Sequence, residues 1–286
     1  MLFGTSGTAR ELGPDAASSL TVGATRIAIG SIVLWAVVVA NRDREPLPSA
    51  VALRPLAPLL AVGGIGVAIY TPLFFVAVDR TGVAVGSVVA IASGPFFAAG
   101  LDWRFRRVRP PLTWLRGTIV TVVGVAVLLA GVGSGGSSID PVGVAAALAA
   151  GLGYATYAVT SKATMERGLG TVALAIPFTI GVIVVLALSI PESWDWLATR
   201  SGLAMALYLG VVATGLAYVL FGFGLRRLST ATTVTLVLAE PLTAALLAVG
   251  VLDEAIPWVG WVGVAVVMLG LALVGQSASS SARNPA

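Results

Sequence analysis

The sequence predicts an all-α integral membrane protein, a ten-helix bundle of two inverted five-helix repeats. Of its 286 residues, 57 % are hydrophobic and 10 % are charged, whereas a soluble domain carries about 25 % charged residues. Nine apolar stretches are long enough to cross a bilayer, because a spanning helix needs roughly 20 such residues. The second half of the chain also repeats the glycine and proline spacing of the first half. These three observations lead to the fold class.

The spans follow one another with short connections. They are predicted over Leu20–Ala40, Leu56–Val78, Val83–Leu101, Leu112–Gly131, Pro141–Ser161, Val172–Ile190, Gly202–Leu225, Thr230–Gly250 and Pro257–Gly275. The segment Met1–Gly13 precedes them and is too short to cross hydrocarbon alone.

Loop charges predict the orientation. If the first segment runs outward, the cytoplasmic side holds 13 of the 17 basic residues. The outer loops then hold only Arg80 and Arg200. Basic residues concentrate in cytoplasmic loops, so we expect a multi-pass protein of the cell membrane with both termini in the cytoplasm.

The repeat appears when the second half is shifted back by 146 residues. The shift matches Gly210 with Gly64, Arg226 with Arg80, Pro241 with Pro95, Pro257 with Pro111, Gly263 with Gly117 and Gly270 with Gly124. Each half holds five spans, so the second copy enters the membrane from the opposite face. We expect a first repeat over residues 1–131, an outer linker over 132–140, a second repeat over 141–275 and a disordered cytoplasmic tail over 276–286.

The first helix is predicted to be truncated. A shift of 151 residues places Gly30 on Gly181 and Phe3 on Tyr154. The second copy has 13 residues between Pro141 and Tyr154, but the first has two before Phe3. We therefore expect roughly a dozen residues of this helix to be missing, through a mis-called start codon or a trimmed chain. A stop codon directly before Met1 would refute this.

The predicted span Thr230–Gly250 carries a carboxylate, Glu240, and a helix breaker, Pro241, near its middle. A charge at that depth is costly and normally faces protein or a wet cavity. Thr233 and Thr243 lie on the same helix face as Glu240. This helix is therefore predicted to form one wall of a polar site, the alternative being a packing kink with a buried structural acid.

Polar and aromatic residues of other spans are further candidates for lining that site. They are Thr5, Thr8, Tyr70, Ser87, Gly94, Pro95, Tyr154, Tyr157 and Tyr218. Two kinked helices at equivalent positions fit paired walls of one cavity. For each residue the alternative is packing or interhelical hydrogen bonding. Arg10 and Arg26 either snorkel, pair with Glu11, or meet a substrate carboxylate.

Glycines recur every seven residues in two spans. They are Gly117, Gly124 and Gly131 in the span Leu112–Gly131, and Gly263 with Gly270 in the span Pro257–Gly275. Small residues on one helix face allow close packing. We expect them to pack either within the bundle or in a homodimer.

The composition excludes several function classes. With no cysteine and no histidine, serine–histidine hydrolysis and histidine- or cysteine-ligated metal sites are ruled out. No span has the buried aspartate pair that an aspartyl protease needs. We expect no enzyme activity, no metal and no cofactor. The basic residues lie in short loops where topology explains them, so no nucleic-acid partner is expected.

Two stretches resemble a known family. GTSGTARELGPDAASSLTVGATRIAIG is similar to the first helix pair, and LAEPLTAALLAVGVLDEAIPWVGWVGVAVVMLGLAL to the closing pair, of EamA-type members of the drug/metabolite transporter superfamily. The closing pair has the mid-helix Pro241, the outer Glu254 and the spaced Gly263 and Gly270. The first half departs from the pattern, with Asp102-Trp103-Arg104 in place of the acidic signature.

The resemblance implies ten helices, cytoplasmic termini and movement of small metabolites, amino acids or drugs, often outward. Together with the residues, it predicts a secondary transporter working by alternating access around a midplane cavity, with the lipid bilayer and a small-molecule substrate as partners. Glu240 is the candidate for proton coupling. The alternative is a channel or a non-transporting membrane partner subunit.

Overall fold

The computed structural model describes residues 1–132, 140–251 and 256–283, and within these ranges all regular structure is helical. Ten helices follow one another, and the predicted all-α bundle is confirmed. They are α1 (Thr5–Glu11, after a 3-10 turn Leu2–Gly4), α2 (Ser19–Ala40), α3 (Ala50–Gly82), α4 (Val85–Arg106), α5 (Leu112–Val132), α6 (Pro141–Leu169), α7 (Val172–Leu188), α8 (Arg200–Arg227), α9 (Thr230–Val251) and α10 (Trp258–Arg283).

Most of these helices can cross a bilayer. In the described part of the chain, eight of them, all but α1 and α7, are long and apolar enough to span. α7 is apolar but has 17 residues, which makes it about 25 Å long. α1 is a short helix that packs against α8 and α9.

Polar residues start five of the helices. Ser18, Ser49, Asp140, Thr199 and Ser229 each accept a hydrogen bond from a backbone N–H in the first turn of α2, α3, α6, α8 and α9. Such caps satisfy donors that have no partner inside the helix. They fix where each span begins.

Gly82 separates α3 from α4. The helical run Ala57–Leu101 is interrupted there by a backbone with φ 80° and ψ 160°. Glycine adopts positive φ without the steric cost that a side chain imposes. The chain therefore reverses at Gly82 and starts α4.

Two equivalent glycine–isoleucine contacts join the first repeat to the second. Gly64 of α3 packs against Ile180 of α7, and Gly210 of α8 packs against Ile29 of α2. Gly64 and Gly210 are equivalent at the shift of 146 residues, and Ile29 and Ile180 at the shift of 151. Each contact joins one repeat to the other, as expected if the two repeats share one plan.

α5 and α10 pack directly along their glycines. Gly117 faces Val274, Gly124 faces Val267 and Gly131 faces Gly260. Each seven-residue step along α5 matches a seven-residue step back along α10, so the helices are antiparallel. Because they are equivalent helices of the two repeats, this direction fits an inverted second copy. These glycines are used within the bundle.

The last helix extends into the segment predicted to be disordered. α10 runs to Arg283, and Thr113 of α5 donates a hydrogen bond to Ser277 Oγ at 3.2 Å. The helix therefore continues into the serine-rich segment. Ser277, near the start of that segment, contacts α5. Residues 284–286, most of the predicted outer linker and the acidic pair Asp253 and Glu254 lie outside the described residues.

Candidate functional site

A cavity of about 410 Å³ lies between the two repeats. Helices α1 to α4 of the first repeat and α6 to α9 of the second contribute to its wall. α5 and α10 take no part and pack against each other. Both five-helix units therefore build one site.

The cavity reaches only one end of the bundle. Its lining includes Arg10 in the last turn of α1 and Ser19, the first residue of α2. Toward the other end, where Arg42, Arg44 and Arg227 lie exposed, it stops at a layer of aromatic rings. We call these the open end and the arginine-rich end.

The aromatic layer forms the floor of the cavity. Phe178 and Tyr218 meet edge to face with ring centroids 4.5 Å apart. Tyr157 lies 5.6 Å from Phe178 and 6.4 Å from Phe221. Such ring pairs are worth about 0.5–1.5 kcal/mol beyond the area they bury. The floor is therefore closely packed.

Two charged side chains in the wall have no ion-pair partner among the residues that the structure describes. Arg26 of α2 donates from Nε to Thr214 Oγ1 at 3.2 Å, and its terminal nitrogens have no hydrogen bond or ion pair in the described ranges. The Glu240 carboxylate likewise has no hydrogen bond or ion pair there, but it interacts electrostatically with Arg26 and, more weakly, with the N-terminal ammonium of Met1. Both residues line the cavity.

Arg10 differs from Arg26. Its two terminal nitrogens donate to the carbonyls of Pro14 at 3.1 Å and Ala17 at 2.6 Å. Arg10 thus holds the α1–α2 connection. Arg26, in contrast, has no hydrogen bond from either terminal nitrogen in the described ranges.

Aromatic rings and hydroxyls fill the rest of the wall. The ring centroid of Tyr70 lies 6.0 Å from that of Tyr154 and 5.9 Å from that of Phe74. The buried Tyr154 hydroxyl and Ser6 Oγ have no hydrogen-bond partner in the described structure. Buried polar groups are usually paired with protein or ordered water, so these two can serve a molecule in the cavity.

The sequence-predicted site residues divide into two groups. Those that line the cavity are Tyr70, Tyr154, Tyr157, Tyr218 and Glu240; those absent from its wall are Thr5, Thr8, Ser87, Gly94, Pro95, Thr233, Pro241 and Thr243.

Several of the second group support the wall from behind. A methyl group at Gly94 would lie 3.5 Å from the Tyr154 ring, in ordinary van der Waals contact, so Gly94 lies directly behind that ring. Thr243 packs against Gly4 of the turn before α1. Thr5, Thr233 and Thr243 donate to carbonyls of their own segments.

The two mid-helix prolines act differently. α9 breaks at Leu238, between Thr230–Val237 and Ala239–Val251. The break lies three residues before Pro241, next to the Val237 carbonyl that the sequence indicates. In α4 the helical run continues through Pro95. Of these two helices, as far as the described residues show, the one in the second repeat is interrupted beside the cavity and the one in the first repeat is not.

Arg26 and the rings of Phe3, Phe74 and Phe178 also line the cavity, although the sequence-based selection did not include them. A signal for Arg26 was available. It lies seven residues into α2, or about 10 Å along the axis. A guanidinium at that depth needs a wet or paired environment. The phenylalanines have no comparable signal, because apolar rings occur throughout the spans.

Ion pairs close the arginine-rich end. Glu45, between α2 and α3, pairs with Arg226 of α8 and accepts hydrogen bonds from the Thr171 backbone N–H at 2.9 Å and hydroxyl at 3.0 Å. The Arg226 hydrogen bonds, with those from Thr171, lower the pKa of Glu45 to about 2. This carboxylate of the first repeat is therefore held by two groups of the second.

A second group of charges lies nearby. Arg106 of α4 donates to Asp102 at 2.9 Å and pairs with Glu166 of α6. The ammonium of Lys162 lies 3.5 Å from Glu166 and donates to the Leu225 carbonyl. This network also joins the repeats. We call the Glu45 and Arg106 networks together the closing ion pairs.

Comparisons with known proteins agree with this arrangement. A model of the EamA-like transporter family matches residues 1–130 and 141–276. A relative from Bacillus subtilis (strain 168), named uncharacterized transporter YwfM, is 37 % identical over 273 residues, which cover 95 % of this chain and 89 % of the relative.

The threonine/homoserine exporter RhtA of Escherichia coli (strain K12) is 31 % identical over 235 residues, which cover 78 % of this chain and 70 % of that protein. A solved crystal structure shares the fold with a TM-score of 0.80 at 22 % identity, covering 98 % of this chain and 94 % of that one. Two five-helix halves, both matched by one family model, place the protein in a family of membrane transporters: the chain belongs to the EamA-like transporter family.

Proposed function

We propose that the protein is a secondary exporter of small organic metabolites such as amino acids, working by alternating access around the cavity between its repeats. The observation that carries the proposal is a cavity open at one end only. At the other end an aromatic floor and the closing ion pairs separate it from solvent. A continuous pore would lack such a floor.

The arginine-rich end is proposed to be cytoplasmic, in the cell membrane, with both termini on that side. Cytoplasmic loops carry an excess of basic residues. The conformation described here then faces outward, and the closing ion pairs shut its cytoplasmic side. Transport requires a second conformation in which they separate and the open end closes.

Inverted repeats supply a route to that second conformation. In such folds one repeat rocks against the other about a site at their interface. Here the glycine contacts of α3 with α7 and of α8 with α2 cross between the repeats. Because the two contacts are equivalent, a rocking motion of one repeat against the other about them can close the outer face and open the inner one.

The substrate class is supported by size and by relatives. Small-molecule sites usually measure about 300–1,000 Å³, and this cavity measures about 410 Å³. The 31 %-identical relative of Escherichia coli is named a threonine/homoserine exporter. We therefore propose amino acids as the first substrates to test.

The experiment is counterflow in proteoliposomes containing the purified protein. Vesicles loaded with unlabelled L-threonine, or with another neutral amino acid of a panel, should take up the labelled compound faster than empty vesicles, with saturation. An ohmic current without saturation would contradict the proposal in favour of a channel. A lack of exchange for every small organic solute in the panel would contradict it in favour of a partner subunit.

A further inference from the structure

Besides Arg10 at its open end, the cavity carries one cation and one anion that have no ion-pair partner in the described residues, and these two come from different repeats. Arg26 lies on α2 and Glu240 on α9. Their counterparts at the shifts of 151 and 146 residues are Pro177 and Gly94, which are uncharged. The pseudo-symmetry of the bundle is thus broken at these two positions, and the site is electrically polar.

Neither charge is neutralised by direct contact. Arg26 and Glu240 form no ion pair with each other or with another side chain in the described structure. An arginine has five N–H donors, and the Nε–H of Arg26 is used by Thr214. The four terminal N–H groups of this cavity-lining residue therefore have no hydrogen-bond partner in the described ranges. Charged groups at such depth are costly unless they are paired or solvated.

The chemistry of these two side chains indicates which ligand groups they would bind. A planar guanidinium with free terminal donors binds a carboxylate through two parallel hydrogen bonds. A carboxylate without partners accepts from an ammonium. A molecule with both groups would satisfy Arg26 and Glu240 together, and the occupied cavity would carry no net charge from these four groups.

The remaining wall is uncharged apart from Arg10, whose terminal nitrogens are used by backbone carbonyls. Tyr70, Phe74 and Tyr154 offer ring surfaces, and the Tyr154 hydroxyl and Ser6 Oγ have no partner in the described residues. Such a surface suits an apolar or hydroxylated side chain. A second positive charge on the ligand would find no further carboxylate in this wall. An uncharged side chain needs no such partner.

We infer that the cavity binds a neutral α-amino acid as a zwitterion in a single orientation, with its carboxylate on Arg26, its ammonium facing Glu240 and its side chain on the aromatic wall. The inference rests on the proposed transport function and adds the two residues that bind the charged groups of the ligand. Thr214 is then a positioning residue, because it orients the Arg26 guanidinium.

The test compares ligands that each lack one of the two charged groups. L-Threoninamide has no carboxylate, and 2,3-dihydroxybutanoate has a hydroxyl in place of the ammonium. Both keep the shape of L-threonine closely. Their half-inhibitory concentrations are measured against labelled L-threonine in counterflow. For a variant that no longer transports, ligand binding is measured instead as the shift in unfolding temperature of the purified protein.

The wild-type protein should prefer L-threonine over each analogue by roughly 10- to 100-fold, since hydrogen bonds to charged groups are among the strong ones. In Arg26→Gln the preference over threoninamide should disappear while the preference over dihydroxybutanoate remains. Glu240→Gln should show the reverse pattern. Arg26→Lys should keep part of the first preference, and Arg227→Gln, an exposed charge outside the cavity, should change neither.

The inference and the transport function fail in different ways. If the wild-type protein exchanges L-threonine but Arg26→Gln keeps the full preference over threoninamide, the inferred orientation is overturned and the function stands. If the wild-type protein exchanges no amino acid and binds none, the proposed substrate class itself is overturned. If Arg26→Gln fails to fold, its unfolding temperature without ligand falls below that of the wild-type protein. The preference of Arg26→Lys over threoninamide then decides whether the inferred orientation holds.

Discussion

Glu45 is a single residue that connects the two repeats at the arginine-rich end. Arg226 and Thr171 donate to its carboxylate, and these hydrogen bonds favour the charged form, so the pKa of Glu45 falls from 4.5 to about 2. A carboxyl group whose pKa is lower in the folded state stabilises the fold when pH is above its unfolded value. The contribution is present above pH 4.5 and is lost as pH falls toward 2.

We expect Glu45→Gln to lower the free energy of unfolding near neutral pH by about 1 kcal/mol, a value typical of partly exposed pairs. The difference in unfolding temperature between the variant and the wild-type protein should shrink as the pH falls below 4.5. Unfolding in detergent between pH 7 and pH 3 measures this. A difference independent of pH would show that the glutamate acts through packing and not through its charge.

Glu240 is the residue proposed to couple transport to protons. In Glu240→Gln the side chain can no longer gain or lose a proton, so a pH gradient should no longer drive accumulation of the amino acid. Exchange at saturating substrate should persist, because it needs no net proton movement. Gradient-driven and exchange fluxes in the same vesicles separate the two, with the exposed Glu192→Gln as control. Full gradient-driven uptake by Glu240→Gln would contradict the coupling role.

At the scale of elements, the α5–α10 pair depends on the absence of side chains at its glycines. A methyl group at Gly270 would lie 2.7 Å or less from the backbone and hydroxyl of Thr121, whereas at Gly100 of α4 nothing lies within 4 Å. Overpacking typically costs about 1–3 kcal/mol. Replacing a helical glycine by alanine in open space gains up to about 1 kcal/mol.

Gly270→Ala should therefore lower the unfolding temperature, and Gly100→Ala should leave it unchanged or raise it. Thermal unfolding of both variants in the same detergent measures the difference. Equal effects of the two substitutions would mean that α5 and α10 are not in close contact.

The proline helices illustrate what a pattern in one element can predict. Pro241 and Pro95 occupy equivalent positions in the two repeats, and the sequence predicts a kink at both. α9 breaks before Pro241 and α4 continues through Pro95. A proline removes one backbone hydrogen bond in either helix, but whether the helix opens depends on the packing around it. That packing comes from other parts of the chain.

At the scale of the whole molecule, the closing ion pairs and the aromatic floor should decide which face is open. Ser161 lies one turn beyond Tyr157 toward the arginine-rich end and is fully buried. Because the natural chain has no cysteine, a single Ser161→Cys substitution reports access from that end. Ser19→Cys reports access from the open end, where Ser19 is exposed.

Glu45→Gln combined with Glu166→Gln should raise the labelling rate at Ser161→Cys several-fold and lower the rate at Ser19→Cys, because the removed pairs favour the conformation described here. A membrane-impermeant maleimide applied from each side of oriented vesicles measures both rates. Glu192→Gln in the same cysteine backgrounds is the control. Unchanged rates in the double variant would mean that these ion pairs do not stabilise the closed end.

The sequence by itself determined the membrane class, the inverted repeat and the ten helices, whose ends differ from the predicted ones by up to eight residues. It also proposed Glu240 as a cavity residue. These follow from local properties: apolar length, loop charge, glycine spacing and the cost of a buried charge. Only the tertiary structure decided that Arg26 faces the cavity, that Thr233 and Thr243 do not, and that Glu45 meets Arg226 across 181 residues. A helix face points to lipid, to a neighbour or to a cavity according to which helices pack beside it, and those neighbours lie far away in the chain.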